Sequence, residues 1–111
     1  MAQNFRRYTE NGIGTSAVDV PNGSNFSSYD AIVGIRLSNI TSAAITCEVY
    51  INDGSNDIHI IKDAPIAQGG SLELIDSGSK IVVQSGDRLY IKSSVSTGID
   101  AWVSVVSAIS T

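Results

Sequence analysis

The side chains that do most enzymatic chemistry are scarce in this sequence, and their spacing argues against catalysis. His59 is the sole histidine and Cys47 the sole cysteine. His59 sits between Ile58 and Ile60 in an extended run, so it faces away from both and reads as an exposed strand residue. Serines are plentiful, but none lies in the Gly-x-Ser-x-Gly turn that exposes a nucleophile. Cys47 shares a period-two face with Ile45, Val49 and Ile51. Burial there disfavours the thiolate, so it reads as an inert core thiol. One cysteine and one histidine cannot build a structural zinc site. Asp53-Gly54-Ser55-Asn56-Asp57 places oxygen ligands as a calcium loop would, but it lacks a distal glutamate and suits a hairpin turn. Most acids fall in turns, where aspartate bonds to the backbone. Glu48 and Glu73 stand inside strands, at polar phases, and read as surface. The sequence implies no cofactor.

The elements that carry these residues are strands. Asp30 to Ser38 alternates Val33, Ile35 and Leu37 with Gly34, Arg36 and Ser38. Ala44 to Asn52 is the cleanest alternating stretch. Further strands are expected at Ser16–Val20, Asp57–Lys62, Ser71–Ile75, Lys80–Gln84, Arg88–Ser94 and Ile99–Ile109. Pro21-Asn22-Gly23, Asn39 to Ser42, Asp63-Ala64-Pro65, Gly69-Gly70, Asp76 to Ser79 and Ser85-Gly86-Asp87 punctuate them. About eight short strands with regular turns, and no helical crossover, predict an all-β antiparallel β-sandwich of jelly-roll type. Residues 1–14 are expected to form an N-terminal arm ended by the break Asn11-Gly12-Ile13-Gly14. Residues 15–111 are expected to form one sandwich domain.

Bulk properties narrow the partners. The chain has 111 residues, a formal net charge of −4 and only 16% charged residues. Apart from Arg6-Arg7 the basic residues are scattered, which excludes nucleic acid as a main partner. No apolar run of membrane-spanning length exists. The N-terminus lacks the apolar stretch of a signal peptide, so a cytoplasmic site of assembly is expected. Asn25-Phe26-Ser27 and Asn39-Ile40-Thr41 match the glycosylation pattern but carry little weight in that setting.

Two features point to association. Ile58, Ile60 and Ile61, then Ile81, Val82 and Val83, then Val103, Val105 and Val106 put apolar residues on both faces of strands. A covered outer face and a closed homo-oligomer, a trimer, are expected from this. Phe5-Arg6-Arg7-Tyr8 joins two aromatics to the only basic pair, a composition suited to anchoring on a partner. Trp102 alternates with Val103 and reads as core in preference to a sugar-stacking platform.

The run Phe5-Arg6-Arg7-Tyr8-Thr9 followed by Gly12-Ile13-Gly14-Thr15 resembles small virion proteins of tailed phages, notably those infecting marine cyanobacteria. So do Asp30 to Ile35 with Asn39-Ile40-Thr41, Ile61 to Ile66 with Gly70 to Leu74, and Lys80 to Asp87. The resemblance spans most of the chain. It implies a β-sandwich structural protein of the particle, on head, neck, tail or fibre, that is assembled in the host cytoplasm and contacts other virion proteins. It brings no catalytic residues. The alternative is a host-surface or glycan-binding module of such a particle.

Overall fold

Alternation of apolar and polar residues in short runs allows each strand to bury one face only, so two sheets must close on each other. A computed structural model shows this arrangement and describes residues 4–20, 30–75, 81–84 and 86–107. The strands are β1 (Asn4–Ile13), β2 (Val18–Val20), β3 (Asp30–Asn39), β4 (Ile45–Asn52), β5 (Asp57–Ile66), β6 (Ser71–Glu73), β7 (Ile81–Val83), β8 (Arg88–Ser93) and β9 (Ile99–Ser107). All pairings are antiparallel. One sheet runs β1-β9-β3-β6, with β7 also on β3, and the other runs β2-β8-β4-β5.

The topology is that of a jelly roll. β6 and β7 pair with opposite ends of β3, at Arg36–Ser38 and at Asp30–Ile32. Counted as one interrupted strand, they complete a rolled hairpin. In it the first strand pairs with the last, the second with the next to last, the third with the interrupted strand, and the fourth with the fifth. The sandwich expected from the sequence is therefore present.

Ile32, Ile35, Leu37, Val103 and Val105 from one sheet meet Val49, Leu89 and Ile91 from the other, all essentially solvent-free. Each such side chain stabilises the fold by about 1.5–3 kcal/mol relative to exposure. Asn39 clasps the two layers at one end. Its side-chain amide donates to the carbonyls of Ala43 (2.8 Å), Ile66 (3.1 Å) and Ala67 (3.1 Å). Its oxygen accepts from the backbone N–H and the hydroxyl of Thr41. Asn39 is thus buried and fully bonded, which rules out its use as a glycan acceptor in the folded chain. Asn25 and its pattern lie outside the described residues, as do the turns at Pro21 to Gly23 and Asp76 to Ser79.

Two expectations change. Residues 4–13 are not a separate arm but the long end strand β1, in register with β9 from Asn4↔Ser107 to Ile13↔Ile99. The Asn11-Gly12 break is a β-bulge: Gly12 adopts φ +65°, and its N–H donates to Asp100 Oδ1 at 3.0 Å. The bulge then re-aims Ile13 into the core. β5 also runs beyond its expected end at Lys62, to Ile66. Asp63 takes φ 54° at a bulge between the Cys47↔Ala64 and Val49↔Ile61 pairs. Pro65 is tolerated because β5 is the end strand of its sheet.

Candidate functional site

The outer face of the β1-β9-β3-β6 sheet is set by the phase of β9. Ala101, Val103 and Val105 point into the core, so Trp102, Ser104 and Val106 point outward. Register then fixes what lies beside them. Phe5, Val106, Ala31 and Val82 form one row. Arg7, Ser104 and Gly34 form the next, and Thr9, Trp102, Arg36 and Glu73 the one after.

Trp102 stands 51% exposed on this face, which overturns its assignment to the core. The Arg7 guanidinium lies 5.3 Å from its ring centroid, a cation–π contact. Beside the indole is a groove of about 490 Å³ lined by Gly34, Arg36, Ser38, Glu73, Asp100 and Ser104. Small residues make its floor: an added Cβ at Gly34 would lie 3.7 Å from the Ser104 Cβ and 3.6 Å from Glu73 Oε2. Glu73 is held in place, Oε2 accepting from the Ile35 N–H (3.0 Å) and Oε1 from Arg36 Nε (3.4 Å). A second depression, of about 370 Å³, borders Trp102 on the β1 side at Thr9, Glu10 and Asn11.

The four residues expected to anchor a partner do not share one face. Phe5 and Arg7 are outward, and Phe5 is 79% exposed at the sheet's end strand. Tyr8, paired with Val103, is half-buried against the core, while Arg6, paired with Val105, is exposed in that same phase. Of the apolar runs, Val103 and Val105 are core, Val106 is covered, and Ile58 (55%) and Val82 (61%) are exposed.

The opposite outer face, on β2-β8-β4-β5, carries a row of rings. Tyr50 stacks on Tyr90 at 5.2 Å and leans on His59 at 5.1 Å. His59 Nε2 is 2.7 Å from Glu48 Oε2. That hydrogen bond, more than the nearby charges, holds the Glu48 carboxyl below its usual range. Arg88 meets Asp19 at 3.3 Å, and Asn52 donates to Asp57 at 2.8 Å. Beneath this sheet Cys47 is buried as expected, and desolvation pushes its pKa from 9.0 to about 11. The Asp53 carboxylate accepts the N–H groups of Ser55 (3.0 Å) and Asn56 (2.8 Å), the turn chemistry that competes with calcium ligation. Among the described residues no group of three or more His, Cys, Asp or Glu is placed to hold a metal ion.

The sequence matches no protein-family model and no curated protein.

Proposed function

We propose that the protein is a non-enzymatic structural component of a phage virion, working through protein–protein contacts made by β1 and the outer face beside it. Its place on the particle would be head decoration, neck, tail or fibre. The observation that carries this reading is Phe5, a phenyl ring 79% exposed on the end strand of a sheet. Among the described residues no strand pairs with the outer edge of β1, and an aromatic anchor beside such an edge favours docking over solvation. Arg7 extends the same face with a residue type enriched at interface hot spots. The resemblance of the Phe5-Arg6-Arg7-Tyr8, Ile61 to Ile66, Gly70 to Leu74 and Lys80 to Asp87 runs to virion proteins supports the particle setting. The low charge fraction of 16% suits a chain packed among neighbours, including further copies of itself in a closed ring such as a trimer.

The test is a Phe5→Ser variant, compared with wild type for melting and for incorporation into purified particles. Normal melting with lost incorporation is expected. Light scattering on the isolated protein at micromolar concentration should report a multimer. A monomeric protein whose Phe5→Ser variant still incorporates would overturn the reading.

A further inference from the structure

The groove beside Trp102 has a composition that docking through Phe5 does not require. We infer that it binds a neutral hexose unit of a glycan, a function beyond the contact role proposed above.

Three observations meet at this place. The first is an aromatic surface. Trp102 is half exposed beside the groove, so the indole can meet the apolar C–H face of a pyranose alongside its Arg7 contact, and its ring N–H is a donor. The second is shape. The groove of about 490 Å³ falls in the size range of small-molecule sites, and it exists because Gly34 and Ser104 are small where Trp102 and Arg36 beside them are large. The third is a fixed polar pair. Glu73 is oriented by the Ile35 N–H and by Arg36, so an acceptor and a donor group stand side by side. Vicinal hydroxyls of a sugar both donate and accept, and such a pair satisfies them together.

Charge selects among sugars. Around Trp102 the guanidinium groups of Arg7 and Arg36 are offset by the carboxylates of Glu73 and Asp100, and Glu10 adds a third carboxylate on the β1 side. An anionic glycan would meet all three carboxylates, whereas an uncharged one meets no net repulsion. The depression of about 370 Å³ on the β1 side of the ring makes Trp102 the ridge between two adjoining sites. That fits a chain of linked hexoses better than a free monosaccharide.

Trp102 is the only tryptophan, so its fluorescence reports the site directly. The probes are maltohexaose, cellohexaose and mannohexaose, with an oligogalacturonate of similar length as the charged counterpart. At least one neutral hexaose should shift the emission saturably in the millimolar range. Calorimetry should show binding weakened at least roughly tenfold by Trp102→Ala and by Arg36→Ala, with melting close to wild type in the latter. Phe5→Ser should leave sugar binding intact, which separates this site from the contact role. No shift with any neutral hexaose, equal binding of the charged oligomer, or binding that survives Trp102→Ala would each overturn the inference. Loss of particle incorporation in Trp102→Ala without sugar binding would also overturn it and assign the groove to a protein contact.

Discussion

The two outer faces of the sandwich use their polar and aromatic residues in opposite ways. On the β2-β8-β4-β5 face the side chains spend their capacity on one another. Tyr50 lies between Tyr90 and His59, Glu48 holds His59, Arg88 meets Asp19, and Asn52 meets Asp57. On the β1-β9-β3-β6 face the largest ring is half exposed, and small residues hollow the surface beside it. A face that is internally paired lends rigidity, because a newcomer must first break contacts already made. A face whose indole is half exposed, with one exposed Arg7 contact, and whose ion pair is preset can gain a partner with fewer contacts to break. Both sheets have buried inner faces of similar character, so the difference lies entirely in what alternates with the core residues.

The most severe way to break the comparison is to remove the strand that carries one edge of the open face. Deleting residues 4–10 strips Phe5, Arg7 and Thr9 from it, withdraws Tyr8 from the core and leaves β9 as a bare edge. Loss of cooperative melting, or aggregation on purification, is expected by calorimetry and light scattering. A truncated chain that melts within a few degrees of wild type would restore the separable arm anticipated from the sequence.

Closure of the paired face can be read from the thiol beneath it. Cys47 is covered by its sheet and its pKa is raised to about 11, so thiol reagents should label it slowly until denaturant is added. The sign of the pH effect follows. The folded chain holds this proton more tightly than the unfolded chain. The resulting stability is therefore complete below the unfolded value near 9.0 and is lost as pH rises through about 11. The loss attributable to this group is on the order of 2 kcal/mol. Cys47→Ala should remove that alkaline component at a cost near 1 kcal/mol at neutral pH, from the small cavity left behind. Rapid labelling of the native protein would show that the face above it opens.

A ring deleted from each face sharpens the contrast further. Tyr50→Ala removes two ring contacts, each worth about 0.5–1.5 kcal/mol beyond burial. It should lower the denaturation midpoint clearly. Trp102→Ala removes a larger side chain but only an exposed contact with Arg7, worth about 0.5–1 kcal/mol. It should cost less stability than Tyr50→Ala. The reverse ranking in urea titrations would mean that Trp102 is structural.

Much of this was legible in alternation. The runs at Asp30–Ser38 and Ala44–Asn52 give the bounds of β3 and β4 almost residue for residue, and the phase of Cys47 follows. Val33 was expected on the face of Ile35 and Leu37, but a bulge between Ile32 and Gly34 places Ile32 in the core instead. Trp102 was harder because its own phase, Asp100, Trp102, Ser104 and Val106, mixes polar with apolar residues. The register against β3, with Ile35 and Leu37 buried opposite Val103 and Ala101, shows which set turns inward. The strict Ala101, Val103, Val105 series around Trp102 was the available signal. The Asn11-Gly12 bulge resembles a chain break locally. What makes it part of a strand is an Asp100 carboxylate far away in sequence. Asn39 was read as a turn residue, and its clasp depends on carbonyls at Ile66 and Ala67 that no local pattern could supply. The groove itself is a product of register, since Gly34 and Ser104 become neighbours only when β3 pairs with β9.

The smallest effect tests whether the paired face is held by its charges or by its rings. Glu48 and His59 are in contact at 2.7 Å, yet their side chains remain 21% and 34% exposed. A pair so placed is screened and contributes about 0–1 kcal/mol. The hydrogen bond from His59 keeps the Glu48 carboxyl below its usual value, with Lys92 and Lys62 adding to the effect and desolvation opposing it. A carboxyl depressed in the folded state adds stability above its unfolded value, and that stability is lost as pH falls through the folded one. His59→Gln should therefore move the Glu48 titration upward, as followed by carboxyl-carbon NMR, while the melting midpoint at neutral pH shifts by only a few degrees. His59→Ala, which also removes the ring from Tyr50, should cost more than His59→Gln at neutral pH, because it adds a lost packing surface to the lost hydrogen-bond donor. If both variants melt alike, ring stacking with His59 adds nothing to the pairing of this face. The order of its side chains would then rest on the Tyr50–Tyr90 stack and the ion pairs around it.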